Sequence, residues 1–229
     1  MSEFGLFGLS HLLVLELLVI GSFLIFTLLP KLKTLYQRNV GLLLAIGLLG
    51  QILYFYGGHY IQRSFDPALH VPLHLCSLSA YLVIFALLLN RPWLNKLVLF
   101  WSPVSALVAT VLPDMGKSEN FPSFRFIEFF WSHLLIVWGC VYILRTFKSK
   151  INYRDIWITF GFLVLTLPLI KFLNSIFQSN YMYLEKRASG GQMSFLPAEP
   201  WHIAGLLLIF IVVFHLEFCF YQFVQKKSH

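Results

Sequence analysis

Seven stretches of apolar sequence follow one another along the chain, each near the ~20 residues that a helix needs to cross a bilayer. They run over about 7–30, 40–61, 71–90, 97–112, 126–144, 156–176 and 201–223. Hydrocarbon offers the backbone no water, so only helices and closed barrels can cross it, and a barrel strand needs only about 10 residues. Runs of this length therefore point to helices. The longest connection, 177–200, is too small to fold by itself. The expected fold is an all-α polytopic membrane protein: seven transmembrane helices forming one domain over 1–229. With 58% hydrophobic and 12% charged residues, the chain carries roughly half the charge of a soluble domain. The fourth run is the weak one. It is short and contains Pro103, so a tilted, broken or partly re-entrant span is expected there. The first run lacks a basic leader and meets Pro30 and Lys31 instead of a small-residue cleavage site, so it is expected to remain as a helix.

The charges set an orientation. Lys31, Lys33, Arg38, Arg91, Lys96, Arg145, Lys148, Lys150, Arg154, Lys226 and Lys227 all follow odd-numbered runs. The opposite loops carry Arg63, Lys117, Arg125, Lys186 and Arg187, offset by Asp66, Asp114, Glu119, Glu185 and Glu199. The positive-inside rule places the N-terminus outside and the C-terminus in the cytoplasm. The net charge of +7 is thus a topology signal. It is not a nucleic-acid footprint, and no soluble partner is expected.

Ionisable groups inside such runs cost about 2.5–3.5 kcal/mol each on insertion scales, so they mark candidate sites. His11, Glu16, His59, His74, Cys76, Glu128 and His133 all lie towards the same membrane face, and Lys171 stands apart. If the third run is one regular helix, His74 and Cys76 are about 200° apart around its axis and cannot face one cavity together. A base for Cys76 must then come from another helix, with His11 and His133 as candidates. Arg125 and Glu128 stand three apart, the spacing of an ion pair on one helix face. Glu16 is placed to orient a histidine of another helix. Lys171 is expected to snorkel, or to pair with Glu16 or Glu128. The loop Asn180-Tyr181-Met182-Tyr183-Leu184, with Trp201, suits the membrane interface and a cap over the cavity. Cys140 and Cys219 sit in apolar surroundings and read as small hydrophobes. His11, His74, Cys76, Glu128 and His133 are also possible zinc ligands, but no metal-ligand spacing supports them and no cofactor is expected.

Three blocks carry a family resemblance: Leu73-His74-Leu75-Cys76-Ser77-Leu78; Phe124-Arg125-Phe126-Ile127-Glu128-Phe129-Phe130 with Ser132-His133; and Asn180-Tyr181-Met182-Tyr183-Leu184. With the opening Phe7-Gly8-Leu9-Ser10-His11-Leu12, they make the chain resemble the YwaF-like bacterial integral membrane proteins over nearly its whole length. That family is related to vertebrate transmembrane protein 164, which resembles an acyltransferase loading polyunsaturated acyl chains onto ether lysophospholipids. The resemblance implies a first-helix histidine and a later cysteine in catalysis, matching His11 and Cys76. The turn before the last helix departs from the bacterial pattern: Pro197-Ala198-Glu199-Pro200-Trp201-His202 replaces a Gly-Pro-Trp-Pro-Trp-like turn.

The expected function is therefore acyl transfer between phospholipids and lysophospholipids of a bacterial plasma membrane. His11 would deprotonate Cys76, with His74, Arg125 or a serine hydroxyl on the oxyanion and Glu128, His133 and Glu16 in support. The rival reading is a non-catalytic seven-helix binder or transporter of a lipid, ion or small molecule.

Overall fold

The computed structural model describes residues 3–115, 120–146, 150–187 and 194–227. Lys117, Glu119 and Lys148, used above for topology, lie outside these residues, as does the Lys227 side chain. The elements are α1 (Leu9–Leu28), with a 3-10 turn at Leu29–Lys31, then α2 (Thr34–Ile61), α3 (Pro67–His70) and α4 (Leu75–Leu89). They continue with α5 (Pro92–Val111), α6 (Phe124–Thr146), α7 (Tyr153–Phe177), a 3-10 turn at Tyr181–Tyr183, and α8 (His202–Lys227). Among the described residues there is no β-strand.

Six helices are long and apolar enough to cross a membrane: α1, α2, α5, α6, α7 and α8. The protein is a multi-pass, all-α membrane protein. Two expectations need correction. The fourth run is neither broken nor short. α5 starts at Pro92, five residues before the apolar stretch, and runs unbroken through Pro103 for 20 residues. Pro92 and Arg91 open the helix where a missing N–H costs nothing, and the Ser105 hydroxyl donates to the Ser102 carbonyl (3.1 Å) beside the proline. The third run, by contrast, does not yield a full-length helix. α4 has 15 residues, about 22 Å, because Val71–His74 is not helical.

The chain forms two compact units, Met1–Phe65 with Cys76–Phe147, and Asp66–Leu75 with Lys148–His229. In the first, α6 is the centre, packed against α1, α2 and α5. Its most apolar window is 67% buried, against 17% for α1. Glycines let the neighbours approach it. A Cβ at Gly21 would run into Trp138, one at Gly58 into Phe124, and one at Gly41 would stand 2.6 Å from Tyr142. Three large side chains of α6 thus seat in backbone hollows of α1 and α2, the way membrane helices pack where no water drives them together. The hollow is on α6 itself at Gly139, where a Cβ would stand 2.5 Å from Val83 of α4.

In the second unit, α7 packs against α3, α8 and the Tyr181–Tyr183 turn. Ile170, Tyr181 and Leu184 form its core, with Val71, Leu73, Leu167, Met182 and Ile203 against them.

Candidate functional site

The first two turns of α6 hold most of the polar chemistry. The expected pair is formed: Arg125 Nη1 lies 2.7 Å from Glu128 Oε2. The guanidinium also rests over the Phe129 ring, 5.2 Å from its centroid. Gln51 of α2, which the spacing argument missed, donates to the Glu128 carbonyl (3.3 Å). One turn on, the Phe129 carbonyl accepts from the Ser132 hydroxyl (2.8 Å) and from His133 Nδ1 (2.6 Å). A carbonyl only accepts, so the proton is assigned to Nδ1 and the neutral ring carries its lone pair on Nε2. His133 is 4% exposed, and Nε2 is buried without a hydrogen-bond partner. Buried polar atoms are almost always paired. This one is a neutral base whose lone pair no hydrogen-bond donor of the protein reaches in this arrangement.

His11 shows the opposite arrangement. It is fully buried against Phe4, Phe7 and Phe130, at ring distances of 5.5, 5.5 and 5.6 Å. Its Nδ1 accepts the Phe7 backbone N–H (3.0 Å), so its Nε2–H donates to the Thr110 carbonyl (2.8 Å). Both nitrogens are spent. His11 latches α1 to the end of α5, and in this arrangement it has no lone pair left for a thiol proton. The expectation that it serves as the base is corrected for that reason. Glu16, expected to orient a histidine, lies on the exposed face of α1 among Leu12, Leu13, Leu17 and Ile20.

Cys76 is the second residue of α4. His74 lies before the helix, so the about 200° separation expected of a regular helix does not apply. The Cys76 thiol is free and part-exposed. The Ser77 hydroxyl and the backbone N–H groups of Cys76 and Ser77 face its sulfur, and the Glu128 carboxylate is near enough to act on it electrostatically. The helix register agrees. α4 meets α6 where Val83 faces Gly139. Seven residues, about two turns, return each helix to the same face, and going back seven from Val83 and Gly139 gives Cys76 and Ser132. Cys76 and the Arg125–Glu128 pair thus lie near the N-terminal ends of α4 and α6, with Ser132 and His133 one turn further along α6.

His74 belongs to the second unit. Its Nδ1 accepts the Met182 N–H (3.3 Å), and its ring lies 5.1 Å from Tyr181 and 5.6 Å from Tyr183. Tyr181 is not an interfacial anchor but a plug, 1% exposed. Its hydroxyl donates to the Pro67 carbonyl (2.7 Å) and accepts from the Val71 N–H (2.9 Å). Burial, the largest effect, pushes its phenol above the ordinary range. Asn174 clamps the Tyr181 backbone through both its amide atoms (3.1 and 2.9 Å). His202 donates from Nε2 to the Tyr183 carbonyl (2.8 Å). Met182 and Tyr183 hold positive φ, 55° each, and these bonds offset that strain. Asn174 carried no sequence signal, because a single polar residue near a helix end is usually solvated. Trp201, 70% exposed, is where an interfacial ring is expected.

Among the described residues, no three His, Cys, Asp or Glu side chains group as a metal-holding set.

Long apolar helices around a part-exposed thiol, a buried imidazole and an ion pair define an integral membrane protein of the multi-pass class, its polar groups gathered on one helix cluster. The chain belongs to the TMEM164 family, whose model matches residues 6–217, from ahead of α1 into α8. Neither a curated protein nor a solved structure matches the chain.

Proposed function

We propose that this protein is a thiol-dependent acyltransferase that moves a fatty acyl chain between phospholipid and lysophospholipid in a bacterial plasma membrane, of the YwaF-like branch. Cys76 is the nucleophile and His133 the base. The observation that carries this reading is the buried Nε2 of His133, without a hydrogen-bond partner, on the helix whose Glu128 acts electrostatically on the Cys76 sulfur. His133 Nε2 takes the thiol proton, and Sγ attacks the acyl carbonyl carbon. The tetrahedral intermediate collapses, the C–O bond breaks, and the leaving lysolipid oxygen takes the proton from the imidazolium. An incoming lysolipid hydroxyl then gives its proton to Nε2 and attacks the thioester, and Sγ departs and is reprotonated. The first-turn N–H groups of α4 have no intrahelical acceptor and, with the Ser77 hydroxyl, supply donors for the oxyanion. Arg125, tied to Glu128, sets the local field. A thiol in apolar surroundings needs such an imidazole to react.

The topology belongs to the same proposal: seven spans, N-terminus outside, C-terminus cytoplasmic. Were α4 not to cross, Lys31, Lys33 and Arg38 would lie on the opposite face from Arg145, Lys150 and Arg154, against the positive-inside rule.

The test is acyl exchange between labelled phospholipid and lysophospholipid by the purified protein. Cys76→Ser should abolish exchange, and His133→Ala should lower it by about 10²–10⁴, the usual worth of a positioned base. Full exchange in either variant rejects the site. Lipid binding or flux that survives Cys76→Ala and fails in Arg125→Gln supports a non-catalytic carrier instead.

A further inference from the structure

The C-terminal end of α7 carries a second polar feature that the thiol chemistry does not use. A cleft of about 640 Å³ opens there, lined by Lys171, Phe172, Ser175, Gln178, Ser179 and Glu185 among others. Pockets for small ligands span about 300–1,000 Å³. The neutral polar side chains spend their donors inside the protein. Ser175 donates to the Phe172 carbonyl (2.7 Å), Gln178 to the Ser175 carbonyl (2.8 Å), and Ser179 to Asn174 Oδ1 (2.8 Å). Lys171 and Glu185 spend nothing. They line the same cleft, yet neither forms an ion pair with the other or with any other described residue.

Their heights differ in an informative way. Lys171 lies six residues before the end of α7, about 9 Å down the helix. Glu185 lies beyond that end. Its loop is built to hold it: Asn180 Oδ1 accepts the N–H groups of Glu185 (3.0 Å) and Lys186 (3.1 Å), and Asn180 Nδ2 donates to the Lys186 carbonyl (2.8 Å). Below the lysine on its own face, two turns down, α7 exposes Val164 at 38%, and beside the lysine Phe172 at 61%. From deep to shallow, the surface reads apolar, cationic, anionic. A zwitterionic lipid reads acyl chain, phosphate, ammonium in the same order. An unpaired ammonium within a span is costly, and a phosphate offsets that cost.

We propose that this cleft is a head-group site for zwitterionic phospholipids and lysophospholipids, with Lys171 on the phosphate, Glu185 on the ammonium and the acyl chain along Val164 and Phe172. The assignment rests on the acyl-transfer reading for the identity of these lipids as substrates; the recognition itself follows from the two charges.

The experiment measures binding of radiolabelled lysophosphatidylethanolamine to the full-length protein carrying Cys76→Ser, so that bound lipid is not consumed. Lysophosphatidylglycerol, lacking the ammonium, should compete about tenfold less well, and monoacylglycerol, lacking both charges, about a hundredfold less well, tenfold being the worth of one charge-assisted hydrogen bond. Lys171→Gln should remove the advantage of lysophosphatidylglycerol over monoacylglycerol, and Glu185→Gln the probe's advantage over lysophosphatidylglycerol. Both side chains are exposed, so both variants should keep the parent's elution profile. Preferences unchanged in both variants overturn the proposal. Equal competition by water-soluble glycerophosphoethanolamine also overturns it, since the site would then take a free phosphodiester. Head-group preference in a protein whose Cys76 form exchanges no acyl chain supports the cleft and sinks the catalytic reading alone.

Discussion

Two histidines of one type, both buried near α6, have opposite chemistry because their lone pairs are allocated differently. His11 gives one nitrogen to a backbone N–H and the other to a carbonyl, whereas His133 gives only Nδ1 and keeps Nε2. Replacing His11 by Ala leaves the Thr110 carbonyl and the Phe7 N–H unpaired in a buried cavity. A loss of about 2–4 kcal/mol is expected, read as a lower thermal midpoint in detergent, with exchange per folded molecule within about twofold of the parent. His133→Ala should differ in the rate, losing about 10²–10⁴ in exchange per folded molecule. Sequence could name both residues but could not rank them, because Thr110, the partner that commits His11, lies 99 residues away. A different residue-scale prediction concerns Glu199. The backbone N–H of Arg187 first, then its own N–H and the Arg187 guanidinium, hold the Glu199 carboxyl down at about 2. A depressed carboxylate contributes stability above its ordinary value of 4.5, and that contribution is lost as pH falls through about 2. Carbon-detected NMR titration should find Glu199 charged at pH 3.5 in the parent, and Arg187→Gln should return its midpoint towards the ordinary value. An ordinary midpoint in the parent contradicts the clamp.

Between helices, close approach at glycine decides the architecture. Gly139 lets Val83 in, and Cys76 stands two turns before Val83 on the same face of α4. Gly139→Leu should therefore cost about 1–3 kcal/mol by overpacking and lower acyl exchange more than Gly50→Leu, which meets open space. Equal effects of the two on exchange would remove the register argument. Tyr181→Phe should destabilise by about 1–2 kcal/mol, because Pro67 and Val71 each lose a partner, and the fall in thermal midpoint measures it. Hydropathy showed where apolar segments lie but not where helices begin. Leu73, Leu75 and Leu78 are equally apolar in and out of helix, so the start of α4 at Leu75 was invisible. With it went the reason His74 faces Tyr181 and Tyr183 instead of the thiol. The Arg125–Glu128 pair was legible because its partners are three residues apart on one regular helix.

For the whole molecule, length and charge were enough to establish a multi-pass helical membrane protein, and the TMEM164 family match over residues 6–217 agrees with the quoted blocks. The number of crossings turned on α4, whose 15 residues fall below the length that hydropathy rewards. Reporter fusions after Asn90 and at the C-terminus should both read cytoplasmic, and a fusion after Ile61 external. A C-terminal reporter outside would overturn the seven-span topology. The site depends on a covalent step that leaves a chemical trace. Incubated with phospholipid bearing a labelled acyl chain and no acceptor, the protein should carry the label as a hydroxylamine-sensitive thioester on Cys76. The label should be absent from Cys76→Ser and strongly reduced in His133→Ala. Unimpaired acyl exchange by Cys76→Ser, with no label on the parent thiol, would contradict the account.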